Sequence, residues 1–233
     1  MIETRPATAY LRRLDDGPLP RVDFHIHTSY TDGVSSVLAM VQAGIRQRLE
    51  ALALTEHVRR SSNWLASFWQ EVEDVRREVS NIRVFHGIES KALDFIGTLD
   101  ADPVMLARAE LVLGAVHRYP DGRGGFYEWS ALSLEDAAEI ELRAALGLLT
   151  NEQVDVLAHP GGVCNRKFGP FPEPSLREII ATAAKRGIAI EVNAGYCSDV
   201  RELLSLCQQY GARVSLGSDA HSAMEVGKVV AMV

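Results

Sequence analysis

Residues 23–33 read DFHIHTSYTDG. Two histidines, His25 and His27, stand one residue apart in an apolar run, and a polar turn carrying Asp32 follows. Side chains alternate between the faces of a strand, so His25 and His27 share one face, and Asp23 shares it with them. A lone histidine on a strand is more often a packed core residue than a ligand. The pair acquires meaning only if the rest of the chain brings groups of the same kind to the same place.

Working outward, seven short apolar runs rich in β-branched residues read as buried strands. They are RVDFHIH (21–27), ALALTEH (51–57), IRVFHGIE (82–89), ELVLGAVH (110–117), VDVLAH (154–159), GIAIEVN (187–193) and ARVSLGSDAH (212–221). Helical periodicity lies between most of them, most clearly in SVLAMVQAGIRQRL (36–49), LEDAAEIELRAALGLL (134–149) and SLREIIATAAKR (175–186). Strand and helix alternating at intervals of roughly 30 residues is the pattern of parallel βα units. No GxGxxG or Walker loop follows any strand, which removes the usual reason to prefer an open nucleotide-binding sheet. Every strand instead ends in histidine or an acid: His25 and His27, His57, Glu89, His117, His159, Glu191, and then Asp219 and His221. The ends of an open sheet lie in a row, whereas those of a barrel form a ring on which all can converge. The expectation is a small α/β barrel of seven βα units, one domain over 1–233, with residues 1–20 as an N-terminal arm and 118–133 as a long loop over the barrel mouth.

Six of the seven histidines close a strand or open its following turn. His86, three residues before Glu89, falls on the other face and reads as a packed core residue. With Asp32, Glu89 and Asp219, at least three carboxylates would face one pocket. Two bare carboxylates about 4 Å apart repel by roughly 4 kcal/mol at an effective dielectric near 20. Divalent cations remove that repulsion, and imidazole with carboxylate is a ligand mix that Zn, Mn and Fe accept. The strand ends therefore predict a metal site.

The bulk properties limit the alternatives. The chain has 233 residues, is 47% hydrophobic and 24% charged, and carries a formal charge of −7 with no Lys/Arg block, which argues against a grip on long nucleic acid. Cys164, Cys197 and Cys207 form no CxxC pair and no disulfide framework, favouring a reducing compartment. No apolar run approaches the roughly 18 residues of a membrane span, and the N-terminus lacks an apolar signal core, so a cytoplasmic location is expected. No feature of the sequence points to an oligomeric state.

Taken in order, DFHIHTSYTDG, LALTEHV, HGIES with GTLD, LGAVH, VLAHPGG, EVN and SDAH resemble the motifs of the polymerase and histidinol phosphatase (PHP) superfamily. They span residues 21–221. The resemblance implies a distorted seven-stranded (βα)7 barrel of the TIM type, holding up to three divalent metals at the C-terminal ends of its strands and hydrolysing phosphoesters. It implies that His25, His27, Glu89 and Asp219 hold a first metal, and that Glu89 bridges to a second held also by His117 and His159. Asp32, His57 and His221 would hold the third. Where many members read TDH, this chain has Thr55-Glu56-His57, and alternation turns Glu56 away from the site. Glu89, His117 and Asp219 are the expected catalytic centre, with a hydroxide bridging two metals as nucleophile.

Arg59, Arg118, Arg166 and Lys167 lie within loop reach of the strand ends, and the resemblance selects Arg118 and Arg166 for phosphate. The expected substrate is a small phosphorylated metabolite, histidinol phosphate being one candidate. The competing readings are a nucleotide or oligonucleotide phosphoesterase, a non-catalytic metal-binding module, and a metal-dependent amidohydrolase.

Overall fold

The computed structural model describes residues 4–193, 195–197 and 199–233. Seven parallel strands run in chain order, β1 (Val22–Ile26), β2 (Ala51–Val58), β3 (Arg83–Lys91), β4 (Val112–Ala115), β5 (Val156–Leu157), β6 (Ala189–Asn193) and β7 (Val214–Gly217). The ring closes where β1 meets the residues after β7. Ile26 and Ala220 form a parallel bridge, and His27 N–H donates to Ala220 O at 2.9 Å. This is the expected α/β barrel of the TIM type, distorted by its unequal strands, of which β5 keeps only two residues in the ladder. His117, His159 and Asp219 all lie two residues beyond the last paired residue of their strands. The chain leaves the ladder there and turns across the barrel mouth.

The outer layer contains α1 (Val37–Arg46), α2 (Leu65–Glu78), α3 (Pro103–Arg108), α4 (Leu134–Leu148), α5 (Gly162–Lys167), α6 (Glu173–Arg186) and α7 (Val200–Tyr210). Side-chain caps start four of them. Ser36 accepts from Ala39 N–H, Ser133 forms a capping box with Asp136, and Asp102 and Asp199 each accept two backbone N–H groups. Gly187, with φ of 71°, stops α6 in the left-handed region that glycine occupies without strain. Helix α2 goes unnamed in the sequence reading, yet it buries Leu65, Phe68, Trp69, Val72 and Val75 along one stripe. Among the described residues no helix is long and apolar enough to cross a membrane.

The N-terminal arm is a plug for the bottom of the barrel. Tyr10 packs edge-on against Phe24 and Phe85, with ring centroids 5.8 and 5.9 Å away. Arg12 pairs antiparallel with Val214. The Arg5 guanidinium reaches the segments that precede β4 and β5, donating to Ala109 O at 3.1 Å, Leu106 O at 2.9 Å and the Asp155 carboxylate at 3.2 Å. Burial pushes the Asp155 carboxyl upward, and Arg5 opposes that shift. Truncating Arg5 therefore strands a buried carboxylate. Arg5→Ala is expected to lower unfolding stability by about 3 kcal/mol, read from urea denaturation, with metal content unchanged because the arm lies at the opposite end from the strand-end histidines.

Candidate metal centre

Register brings the strand-end groups together. His57 and Glu89 are direct partners across the β2–β3 ladder, so their side chains stand side by side on one face. The Ile26–Ala220 bridge sets His25 and His27 against Asp219 and His221. A bulge in β1 between Asp23 and Ile26 shifts its register against β2, and the Thr55 hydroxyl accepts the Ile26 N–H at 3.2 Å.

Glu89 is the centre of the cluster and is 1% exposed. Its Oε1 lies 3.0 Å from His117 Nε2, 3.0 Å from His159 Nε2 and 3.4 Å from His25 Nε2. Its Oε2 lies 2.8 Å from His57 Nδ1 and 3.6 Å from His27 Nε2. Asp219 Oδ1 is 3.1 Å from His27 Nε2 and 3.5 Å from His25 Nε2. Asp32 Oδ2, at the open rim, is 3.2 Å from His57 Nε2 and 3.3 Å from His221 Nε2. All nine residues expected from the sequence thus meet in one cage. The tightest donor groupings, His25–His27–Asp219, His27–His57–His221 and His57–Glu89–His117, cut partly across the three-ion assignment, with His27 and His57 each in two of them.

Electrostatics reflects this crowding. Burial works against the charged form of Glu89, yet His117, His25 and His57 hold its carboxyl well below the usual carboxylate range. Burial lowers the His57 imidazole, but Glu89 and Asp32 raise it further, to about 9. Burial brings His27 down to about 4.

The donor set fits divalent cations. Buried His25 Nε2, both ring nitrogens of His27 and Glu89 Oε2 make no hydrogen bond of good angle in spite of their close polar neighbours, although such atoms normally make one. Two ligands each 2.0–2.1 Å from a tetrahedral zinc stand about 3.3 Å apart, which is the spacing of most pairs in the cage. His159 and Asp219 have positive φ of 28° and 53°, a costly backbone state for residues with a side chain and one that clusters at functional sites.

Supporting carboxylates orient the cage. Glu191 Oε1 lies 2.7 Å from His25 Nδ1, and its Oε2 accepts the His159 N–H at 2.6 Å. Asn193 donates to the same carboxylate at 3.1 Å. A Cβ at Gly217 would sit 2.1 Å from Glu191 Oε1, so only glycine leaves room for this carboxylate. Asp23 does not join the cage despite sharing the histidine face. It accepts from Ser218 N–H at 2.9 Å, Ser218 Oγ at 2.5 Å and Gly227 N–H at 2.7 Å, and burial raises its carboxyl to about 6. Glu56 faces away from His57, as alternation requires, and accepts from Thr28 N–H at 2.8 Å and from the Thr31 hydroxyl. His86 lies apart, 5.8 Å from the Trp69 ring and 3.6 Å from Glu110.

The mouth has two lobes that share Asp32, His57, Glu89 and His117. One, of about 600 Å3, also presents Arg166, Tyr196 and Lys228. The other, of about 740 Å3, presents Arg59, Lys91, Arg118, Trp64 and Phe126. The two expected arginines therefore lie on opposite sides of the cage. Tyr196 stacks on His159 at 4.5 Å, and the Arg166 guanidinium lies 3.7 Å over the Tyr196 ring. Glu191, Lys91, Lys228, Tyr196 and Trp64 are among the site residues that the sequence reading left without a role. Alternation carried a signal for two of them: Glu191 ends a strand, and Lys91 is two residues past Glu89 on the same face.

Relatives match this chain at low identity. The DNA polymerase/3'-5' exonuclease PolX of Bacillus subtilis (strain 168) is 27% identical over 210 residues, covering 86% of this chain but only 34% of the polymerase. A protein named "Probable phosphatase" from Caldicellulosiruptor bescii is 25% identical over 218 residues, covering 89% of this chain and 82% of that protein. The histidinol phosphate phosphatase of Lactococcus lactis subsp. lactis Il1403, solved with zinc, L-histidinol and phosphate, superposes with a TM-score of 0.68 at 21% identity over 91% of each chain. Residues 23–195, from the head of the histidine strand to the turn before Tyr196, match the PHP domain, and the chain belongs to the PHP domain family.

Proposed function

We propose that this chain is a metal-dependent phosphatase acting on a small phosphorylated metabolite, with histidinol phosphate as one candidate. The observation that carries the reading is the convergence of nine imidazole and carboxylate side chains around Glu89, with an arginine on either flank. In support, one relative bears the name "Probable phosphatase" and a structural neighbour was solved with histidinol and phosphate.

His25, His27, Glu89 and Asp219 would hold one ion, Glu89 with His117 and His159 a second, and Asp32, His57 and His221 a third. Ions held there would supply two things: a water acidified toward neutrality, the proposed nucleophile, and neutralisation of charge that develops on phosphoryl oxygens. Glu191 fixes His25 through Nδ1 and so leaves Nε2 for coordination. Arg118 and Arg166 approach from two sides and supply planar donors to the phosphate. No covalent enzyme intermediate enters this scheme. Cys164 is fully buried, and burial pushes its thiol up to about 11, which makes it a poor nucleophile.

One observation favours a second reading, a phosphodiesterase: the lobes leave room on both sides of the cage, and PolX carries an exonuclease name. Hydrolysis of p-nitrophenyl phosphate and of its bis ester by metal-loaded protein separates the two. The phosphatase reading expects faster turnover of the monoester; exclusive turnover of the bis ester would replace it. His117→Ala is expected to cut kcat by at least about a hundredfold with the circular dichroism spectrum retained. Adding zinc to chelator-stripped protein at a hundredfold excess over Kd should stabilise it by about 3 kcal/mol in thermal unfolding. Glu89→Gln should abolish most of that gain.

A further inference from the structure

The proposed metal chemistry makes no use of Glu141, although it is a glutamate only 1% exposed in the middle of α4. Its Oε2 accepts the Tyr119 hydroxyl at 2.6 Å and the Cys164 N–H at 2.7 Å, and its Oε1 accepts the Val163 N–H at 3.2 Å. These donors come from two segments. Tyr119 directly follows Arg118, while Val163 and Cys164 open the short helix that carries Arg166. One carboxylate thus grips the roots of both arginines, which line opposite lobes.

The surrounding aromatics extend that grip. Tyr119 packs against Trp129 at 5.2 Å and stacks on Phe168 at 6.0 Å, and Phe168 directly follows α5. The Arg118 guanidinium lies 5.4 Å from the Trp129 ring and 5.5 Å from Phe126, within cation–π range of both. Its buried Nε has no hydrogen-bond partner. The segment 118–131 and helix α5 therefore form one frame seated on α4. Asp121 accepts the Arg123 and Gly125 N–H groups and Pro120 bridges to Phe126, so the loop is folded on itself.

We propose that Glu141 is a positioning residue that sets Arg118 and Arg166 at a fixed separation across the cage, so that both engage the same phosphoryl group. This rests on the phosphatase reading above. A carboxylate suits the task because it only accepts, with two oxygens for three donors. Glutamine would aim an N–H at one of those donors and spread the two segments.

The test is inorganic phosphate binding to the zinc-loaded protein by calorimetry, alongside KM and kcat on p-nitrophenyl phosphate. Glu141→Gln is expected to weaken phosphate binding and raise KM about tenfold, with kcat falling less than about threefold and zinc content unchanged. Tyr119→Phe, which removes one bond, should show the same split in smaller measure. In an Arg118→Ala/Arg166→Ala background, Glu141→Gln should add almost nothing, because the groups it positions are gone. Unchanged phosphate binding in Glu141→Gln, or a loss that adds in full to the double arginine variant, overturns the proposal. If Glu141→Gln does not fold, Tyr119→Phe decides, since its loss must vanish in Arg118→Ala. Wild-type protein that binds phosphate but hydrolyses neither ester would sink the phosphatase reading while leaving the Glu141 result to stand on binding; failure to bind phosphate sinks both.

Discussion

A carboxylate almost entirely removed from water, with ring nitrogens of five histidines within 3.6 Å, is the constraint around which this barrel is arranged. Glu89 cannot be solvated where it stands, and its charge persists only because positive or cation-coordinating partners crowd it from all sides. No two adjacent strands carry enough such partners. A closed ring of parallel strands does, because it turns every C-terminal end toward one axis. Closure at the Ile26–Ala220 bridge therefore matters for chemistry as much as for the sheet, since it brings Asp219 and His221 to the histidines of β1.

Much of this arrangement was legible in the sequence because two periodicities survive folding. Period-two alternation separated His57 from Glu56 and Glu89 from His86, and both separations hold in the structure. The recurrence of an acid or a histidine at each strand end implied a ring rather than a row. What could not be read is anything fixed by sequence-distant hydrogen bonds. Alternation puts Asp23 on the histidine face, but Ser218 and Gly227 draw its carboxylate to the residues beside Asp219. Arg5 falls in the expected N-terminal arm, and its partners around 106, 109, 153 and 155 are named by no local pattern. Glu141 sits in an alanine-rich amphipathic helix where a glutamate is ordinary, and only tertiary packing buries it.

Three acids around the rim share one physical device. Asp23, Glu56 and Glu141 are buried acids outside the cage, and each accepts at least one backbone N–H from a segment at the barrel mouth. Asp23 holds the segment entering Asp219, Glu56 the turn carrying Asp32, and Glu141 the two segments carrying Arg118 and Arg166. Loops are the mobile part of a barrel, and a centre whose members lie on loops loses its geometry unless something rigid fixes them. A carboxylate on a strand or helix does this well, because it offers several acceptor sites and cannot compete as a donor.

Burial raises the carboxyl of each anchor, so each exacts a desolvation penalty that its hydrogen bonds only partly offset. A chain selected for stability alone would have little use for three such groups beneath one rim. Strained backbone at His159 and Asp219 belongs to the same economy: both are held in left-handed conformations because the neighbouring hydrogen bonds over-determine them. His159 is fixed by its N–H to Glu191, and Asp219 by the Ser218 clamp before it and the Ala220 ladder bonds after it. The barrel below the rim, with its continuous apolar strands and its arginine-sealed base, supplies the stability that lets the rim be built for geometry.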